Sequence, residues 1–404
     1  MERETRVTIV IFALVAVLAL SSGLTHLALS RIPLVSPLSS NYSVFSEIPE
    51  IIEHDYRVYG FLPYWSLENA EYLQMDKLTD IAYFALQINA DGTIKTRDPD
   101  GFAEPGLNKW QNSEALNTAI ADAELYGVNF ALTMISHNDE ITYEFLDCRS
   151  CWDTFLSEAL EQMSTKGIKN LNLDFELVEL AEEGYALKYS EFTGYINNRL
   201  NDLVGESNVT VSAHADSVIR SRITDVESLA RAADYIFIMA YDFHRPTSDN
   251  AGPVAPIGGA GVLSEYDLET MMSDFLKYAP ANKLILGVPY YGYNWLVYGE
   301  APYSERIPGS DYLGYSISQT YSAINDTRLK YSPQVLWDPI GRTPYFTYFN
   351  PEYGTTRQVY FDNVDSLAVK YDYAKTKGLA GIGIWALGYD GGYQELWDLL
   401  DRNF

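Results

Sequence analysis

From Arg57 onward, short apolar runs alternate with longer amphipathic stretches. The runs are rich in β-branched and aromatic residues and are too short for helices, so they read as strands. They are Arg57–Leu62, Asp80–Leu86, Asn129–Ile135, Asn170–Phe175, Val209–Ala213, Tyr235–Ala240, Leu284–Pro289 and Ala380–Trp385. Between most of them, apolar residues recur every three or four positions. That spacing predicts helices over Ser113–Tyr126, Trp152–Lys166, Tyr189–Val204, Val226–Ala233, Leu268–Tyr278 and Val364–Lys377. Eight strands interleaved with helices predict an α/β protein, a (β/α)8 TIM barrel. A doubly wound open sheet is the alternative, but no Gly-rich phosphate turn follows the first strand. The barrel is favoured.

Asn294–Asn363 breaks the rhythm, because it is too long for one βα unit between strands seven and eight. It holds a helix candidate at Ser318–Asn325 and strand-like Gln334–Trp337, Tyr345–Phe349 and Arg357–Phe361. A small α+β insertion (294–363) rising from the barrel's top face, as one wall of a cleft, fits this pattern.

The start of the chain has a different texture. No Asp, Glu, Lys or Arg stands between Arg6 and Arg31, and Val7–Leu20 is almost wholly aliphatic. Residues 1–30 therefore fit a cleaved signal peptide or a membrane anchor. Ala19-Leu20-Ser21 and Ala28-Leu29-Ser30 offer cleavage sites, while Glu2 and Glu4 weaken the basic start. Arg3 and Arg6 favour an exported remainder in both cases. Residues 31–55, with three prolines and five serines, read as a linker to a barrel domain over 56–404.

Composition narrows the partners. With 28 Lys+Arg against 55 Asp+Glu the net charge is −27, which argues against a nucleic-acid binder. The 32 tyrosines suit a sugar or peptide cleft, but a chain that uses Tyr in place of Phe would look the same. The two cysteines, Cys148 and Cys151, lack the further ligands of a metal site; outside the cell they suggest a small disulfide clip on a loop. The five histidines show no helical metal spacing, so no zinc, calcium or other cofactor is expected. Asn41-Tyr-Ser43, Asn208-Val-Thr210 and Asn325-Asp-Thr327 are glycosylation sequons, a pattern short enough to arise by chance.

The strongest chemical signal is Asn170-Leu-Asn-Leu-Asp-Phe-Glu176. Side chains alternate along a strand, so Asn172, Asp174 and Glu176 share one face and Leu171, Leu173 and Phe175 the other. In a barrel the aliphatic face packs on helices and the polar face points inward near the C-terminal mouth. Two carboxylates at i and i+2 repel, so at least one should be hard to ionise. A carboxylic acid that stays protonated is what protonation of a glycosidic leaving group requires. An acidic solvent-facing strand would show the same spacing. Inside a barrel, however, it would bury three polar residues without purpose.

Asn172-x-Asp174-x-Glu176 resembles the D-x-D-x-E signature of glycoside hydrolase family 18, the chitinase-like (β/α)8 enzymes. The resemblance runs along most of Arg57–Trp397. Gly60-Phe-Leu-Pro-Tyr-Trp65 resembles the family's first strand and exit, and Ile81-Ala-Tyr-Phe-Ala85 with Asp91-Gly92 its second. Met239-Ala-Tyr-Asp242, Gly287-Val-Pro-Tyr-Tyr-Gly292 and Gly381-Ile-Gly-Ile-Trp385 are similar to its sixth, seventh and eighth. Each motif is weak alone; six in the right order are strong.

The resemblance implies a retaining hydrolase of β-1,4-linked N-acetylglucosamine glycans, an exception to the two-carboxylate scheme. The substrate's acetamide oxygen attacks the anomeric carbon. Glu176 acts as acid and then base, Asp174 orients the acetamide, and Tyr241 hydrogen-bonds its carbonyl. Asp242 would contact the bound sugar and Trp385 would form its floor. Asn172, Met239, Tyr64 and Tyr290 belong to the implied substrate-binding set, with Trp65, Tyr291 and Trp295 as further stacking candidates. The fuller D-x-x-D-x-D-x-E pattern would place acids at Lys169 and Asn172; Asn172 keeps a hydrogen-bonding partner for Asp174 but removes a charge. The Asn form, with Phe346-Thr-Tyr348 and Val359-Tyr-Phe-Asp362, resembles the spore-cortex peptidoglycan N-acetylglucosaminidase and di-N-acetylchitobiase branch. Ser136-His137-Asn138-Asp139, after the third strand, falls at the expected rim. The implied partner is an N-acetylglucosamine-containing oligo- or polysaccharide, bound by an exported or membrane-tethered monomer. A catalytically inactive lectin on the same barrel is the rival, although such proteins typically replace the acid that Glu176 retains.

Overall fold

The structure, a computed structural model, describes residues 56–177, 179–220 and 222–404. The segments 1–30 and 31–55 and the sequon at Asn41 lie outside the described residues. Among the described residues, no helix is long and apolar enough to cross a membrane.

Eight strands close into a barrel in which every pairing is parallel. They are β1 (Arg57–Pro63), β2 (Asp80–Gln87), β3 (Asn129–Ser136), β4 (Asn170–Phe175), β5 (Val209–His214), β6 (Tyr235–Met239), β7 (Leu284–Pro289) and, after the insertion, β13 (Gly381–Trp385). Each predicted strand is present, with no end shifted by more than one residue. Each predicted helix is present too, the shortest-lived being Leu268–Phe275, which stops three residues early. Helices at Pro105–Asn112, Asp139–Asp147 and Glu395–Asn403 were not foreseen.

Alternation along the strands decides which face meets what. On β4, Leu171, Leu173 and Phe175 pack outward on the helix layer, where Phe175 stacks on Tyr189 at 5.2 Å. Inside the barrel, aromatic rings fill the space: Tyr59, Phe61, Phe84 and Phe237 form one cluster with Ile285, and Phe61 meets Phe237 edge-on at 4.8 Å. That filling needs a glycine on the eighth barrel strand, because a Cβ at Gly383 would stand 2.1 Å from the Phe237 ring.

The insertion is a five-stranded antiparallel sheet in the order β10-β11-β12-β8-β9. Its strands are β8 (Tyr291–Val297), β9 (Ile317–Thr320), β10 (Val335–Asp338), β11 (Thr343–Asn350) and β12 (Thr355–Phe361), with a helix at Tyr321–Tyr331. Two expectations change. The sheet begins at Tyr291, three residues before the predicted boundary, because β8 follows β7 after a single residue. The helix expected at Ser318–Asn325 starts at Tyr321, since Thr320 caps it by accepting from Ala323 N–H while Ser318 pairs with Tyr293 in the sheet. One face of this sheet, with Tyr291, Tyr293, Trp295, Tyr345 and Tyr360, packs beside Tyr241 and Trp385.

Cys148 and Cys151 are joined by a disulfide, with Cα atoms 5.2 Å apart. Rather than a free loop, it ties the junction between the helices Asp139–Asp147 and Arg149–Lys166. The Asn325 side chain is buried and donates to Tyr321 O, so that sequon is closed to a glycan in the folded chain.

Candidate active site

At the C-terminal mouth lies a cleft of about 460 Å³, lined by Asp174, Glu176, Met239, Tyr241, Asp242 and Trp385 among others. These six were expected from sequence to meet at one site, and the folded barrel brings them together. Asp174 ends the inward face of β4 and is 3% exposed. Glu176 stands just past the strand, its backbone N–H anchored on Ser136 O at 3.0 Å, with about a third of its side chain open to the cleft.

The aromatic side is supported from below and from the insertion. Trp385 meets Phe84 edge-on at 4.8 Å and lies 6.5 Å from Tyr241, ring centre to ring centre. Asp242, in the left-handed backbone region at φ 63°, accepts hydrogen bonds from the hydroxyls of Tyr291 and Tyr293, the second at 2.5 Å. Burial pushes the phenols of Tyr241 and Tyr291 well above their ordinary value, so they stay neutral donors at physiological pH.

Three expected residues stand elsewhere. Asn172 is fully buried one pleat below Asp174, held by the Thr210 carbonyl and the Ser212 hydroxyl at 3.4 Å each. It supports the strand without reaching the cleft. Tyr290 points into the helix layer, 1% exposed, with its hydroxyl 3.2 Å from that of Tyr371. Its neighbour Tyr291 lines the cleft instead. Tyr64 packs on Trp65 at 4.8 Å and borders a separate shallow hollow. Lys169 is exposed at the foot of β4.

Two histidines complete the acidic side. His214 Nε2 lies 2.9 Å from Glu176 Oε2. His137 Nε2 lies 3.4 Å from Asp174 Oδ2 and 3.5 Å from Glu176 Oε1. The motif around His137 had been placed at the rim, but His214 had not been singled out. Its signal was the same alternation: Thr210, Ser212 and His214 share the inward face of β5, and the predicted strand stopped one residue short.

These neighbours decide which of the two carboxylates is hard to ionise. Burial, reinforced by the charge of Glu176, pushes Asp174 up, against the opposing bond from His137. Burial also acts to raise Glu176, but the His214 hydrogen bond and the charges of His137, His214 and Arg245 together hold it below the ordinary range. One acid is hard to ionise, as the spacing predicts, but it is Asp174, while Glu176, the implied proton donor, is the one held toward its ionised form. For His137, burial alone would favour the neutral ring; the bond to Asp174 and the charges of Asp174 and Glu176 outweigh it and push the group up to about 9.

Beyond these, Arg220, Arg222, Arg245, Asp216 and Glu265 line the outer part of the cleft. Asp216 accepts from both Arg220 and Arg222 at 3.3 Å. His137, Asp174 and Glu176 each offer one ligand atom within 4.8 Å of the others, a spacing that would admit a divalent ion. Ion pairing between an imidazolium and two carboxylates accounts for the same geometry.

Residues 57–390 match the glycosyl hydrolases family 18. The chain is 29% identical over 271 residues to the probable di-N-acetylchitobiase 1 of Dictyostelium discoideum, covering 61% of this chain and 67% of that one. It is 24% identical over 344 residues to the cortical fragment-lytic enzyme of Bacillus anthracis, covering 84% and 71%. Among solved structures, the group IV chitinase of Ostrinia furnacalis, in complex with allosamidin, superposes with a TM-score of 0.72. It is 20% identical, and the alignment covers 86% of this chain and 98% of that one. The chain therefore belongs to glycosyl hydrolases family 18 and is a glycoside hydrolase.

Proposed function

We propose that this glycosidase is a retaining β-N-acetylglucosaminide hydrolase. On this reading it acts on β-1,4-linked N-acetylglucosamine in chitin-type oligosaccharides or peptidoglycan, outside the cell, secreted or tethered. The observation that carries the reading is the facing of Asp174 and Glu176 by Tyr241 and Trp385 across one cleft. A sugar ring resting on Trp385 would turn its 2-acetamido group toward Asp174 and Tyr241 and its leaving oxygen toward Glu176.

The chemistry then follows from the groups present. The acetamide oxygen forms a bond to the anomeric carbon as the glycosidic bond breaks and Glu176 protonates the departing oxygen. Asp174 stabilises the positive charge that develops on the acetamide nitrogen, in a buried site where such an interaction is strong. Glu176, again a carboxylate, takes a proton from water, which attacks the same face and leaves the configuration retained. The kinship with enzymes named for chitobiose and for cortical fragments supports both glycan classes as substrates.

The test is product analysis on defined chitooligosaccharides and purified peptidoglycan, scoring fragment length and anomeric form. The expected first product is the β-anomer; an inverted product, or binding with no product, would overturn the reading. Glu176→Gln should keep the fold and lose on the order of a thousandfold or more in kcat, as removal of an acid–base group does.

A further inference from the structure

Glu176 is held toward the carboxylate form by its histidine neighbours, and a carboxylate has no proton to give a leaving group. The geometry offers a donor. His214 Nε2 is 2.9 Å from Glu176 Oε2, a hydrogen-bond distance, while His137 Nε2 approaches Oε1 at the longer distance of 3.5 Å. His214 is rooted at the end of β5, in register with Met239 of β6, and its side chain is 15% exposed at the cleft wall.

Building on the hydrolase reading, we propose that His214 is a positioning residue that stores the proton Glu176 delivers. In the open cleft, water supports an imidazolium–carboxylate pair. A neutral acetylated sugar that fills the cleft removes that water, and two charges then cost more than none. The proton moves from Nε2 to the carboxyl, giving neutral imidazole and neutral acid. Rotation about the soft, two-fold χ3 of Glu176 turns the protonated oxygen toward the substrate. Cleavage of the glycosidic bond passes this proton to the leaving oxygen while the acetamide oxygen bonds to the anomeric carbon. Attack by water returns a proton to the carboxylate, and product release passes it back to His214. Every proton taken is restored, with no other reactant than water.

Titratable and charged groups face this pair from every side of the cleft. They are His137 beyond β3, Asp174 on β4, and Asp216, Arg220 and Arg222 after β5. Tyr241, Asp242 and Arg245 follow β6, Glu265 and Tyr266 lie before the helix Leu268–Phe275, and Tyr291 opens β8. Asp216 is engaged by the two arginines, and Asp242 by the insertion's tyrosines. Glu176 is thus the carboxylate within hydrogen-bond distance of His214 Nε2 among the described residues.

The relay separates two substrates with the same sugar. A β-1,4 N-acetylglucosamine oligomer leaves as an alcohol and needs the proton; a 4-nitrophenyl N-acetylglucosaminide leaves as a stable phenolate and does not. His214→Gln keeps a hydrogen-bond donor toward Oε2 but has no transferable proton. Its kcat should fall on the order of a hundredfold more on the oligomer than on the aryl glycoside, with KM little changed, and the pH profile on the oligomer should shift. His214→Ala, checked for folding by circular dichroism, should regain oligomer turnover when imidazole is added. Equal losses on both substrates, an unshifted pH profile, or no rescue by imidazole in a folded His214→Ala would overturn the relay alone. A wild-type enzyme that cleaves neither substrate would overturn the hydrolase reading, and the relay with it.

Discussion

The two walls of the cleft are built from opposite chemistry. The wall from β3 to β5 carries His137, Asp174, Glu176 and His214, and the histidines beside the two acids help decide which of them ionises. The wall from β6, β8 and the eighth barrel strand carries a buried Tyr291 and half-buried Met239, Tyr241 and Trp385, and its phenols stay neutral. On the proposed reading the first wall moves protons and the second holds the sugar still. Substitutions on the first should therefore change kcat and its pH dependence, and those on the second should change KM.

The largest effect sharpens the first half of that contrast. Asp174→Asn keeps the shape of a residue 3% exposed but removes the charge that would stabilise the acetamide nitrogen in the transition state. We expect kcat to fall by roughly 100- to 1000-fold, with KM within a few-fold, as for an interaction made only in the transition state. The fold should hold, because one carboxyl oxygen of Asp174 is buried with no hydrogen-bond partner and its charge is costly there. A loss shared equally between kcat and thermal stability would show that Asp174 is a structural residue.

The same contrast explains what was legible before the fold was known. The proton-handling wall follows from strand parity: once Leu171, Leu173 and Phe175 are outward, Asp174 must be inward. His214 obeys this rule and was missed only because its strand was ended at Ala213. The aromatic wall depends on where one sheet stops and another begins. The run Gly287-Val-Pro-Tyr-Tyr-Gly292 gives no sign that β7 ends at Pro289 and β8 starts at Tyr291, so the choice between Tyr290 and Tyr291 went to the wrong ring. Protonation was the least legible. The spacing of two acids shows that they repel, but which one yields depends on His137 and His214, brought in by β3 and β5 from tens of residues away.

A smaller effect tests the coupling within the first wall. The His137 group is pushed up to about 9, above its ordinary 6.5. A group raised on folding adds stability that is fully present below its unfolded value and is lost as pH rises through its folded one. The melting temperature should accordingly decline between about pH 7 and 10, and His137→Asn should flatten that decline. The ring resonances of His137 should titrate near 9 by NMR. Titration near 6.5 would break the link between this histidine and the two carboxylates.

The smallest effect compares neighbours that face opposite ways. Tyr290 spends its hydroxyl on Tyr371 in the helix layer, and Tyr291 spends its hydroxyl on Asp242 at the cleft. Tyr290→Phe leaves a buried Tyr371 hydroxyl without that partner, a loss of about 1 kcal/mol. In a domain of this size it should lower the melting temperature by roughly 2 °C and leave both kinetic constants at wild-type values. Tyr291→Phe frees one side of Asp242, which keeps its bond from Tyr293, so KM should rise by a few-fold with kcat nearly intact. If Tyr290→Phe raised KM as much as Tyr291→Phe, the parity that places one ring in the core and the next in the cleft would be wrong. The second wall would then extend into the helix layer, and its separation from the packing of the fold would not hold.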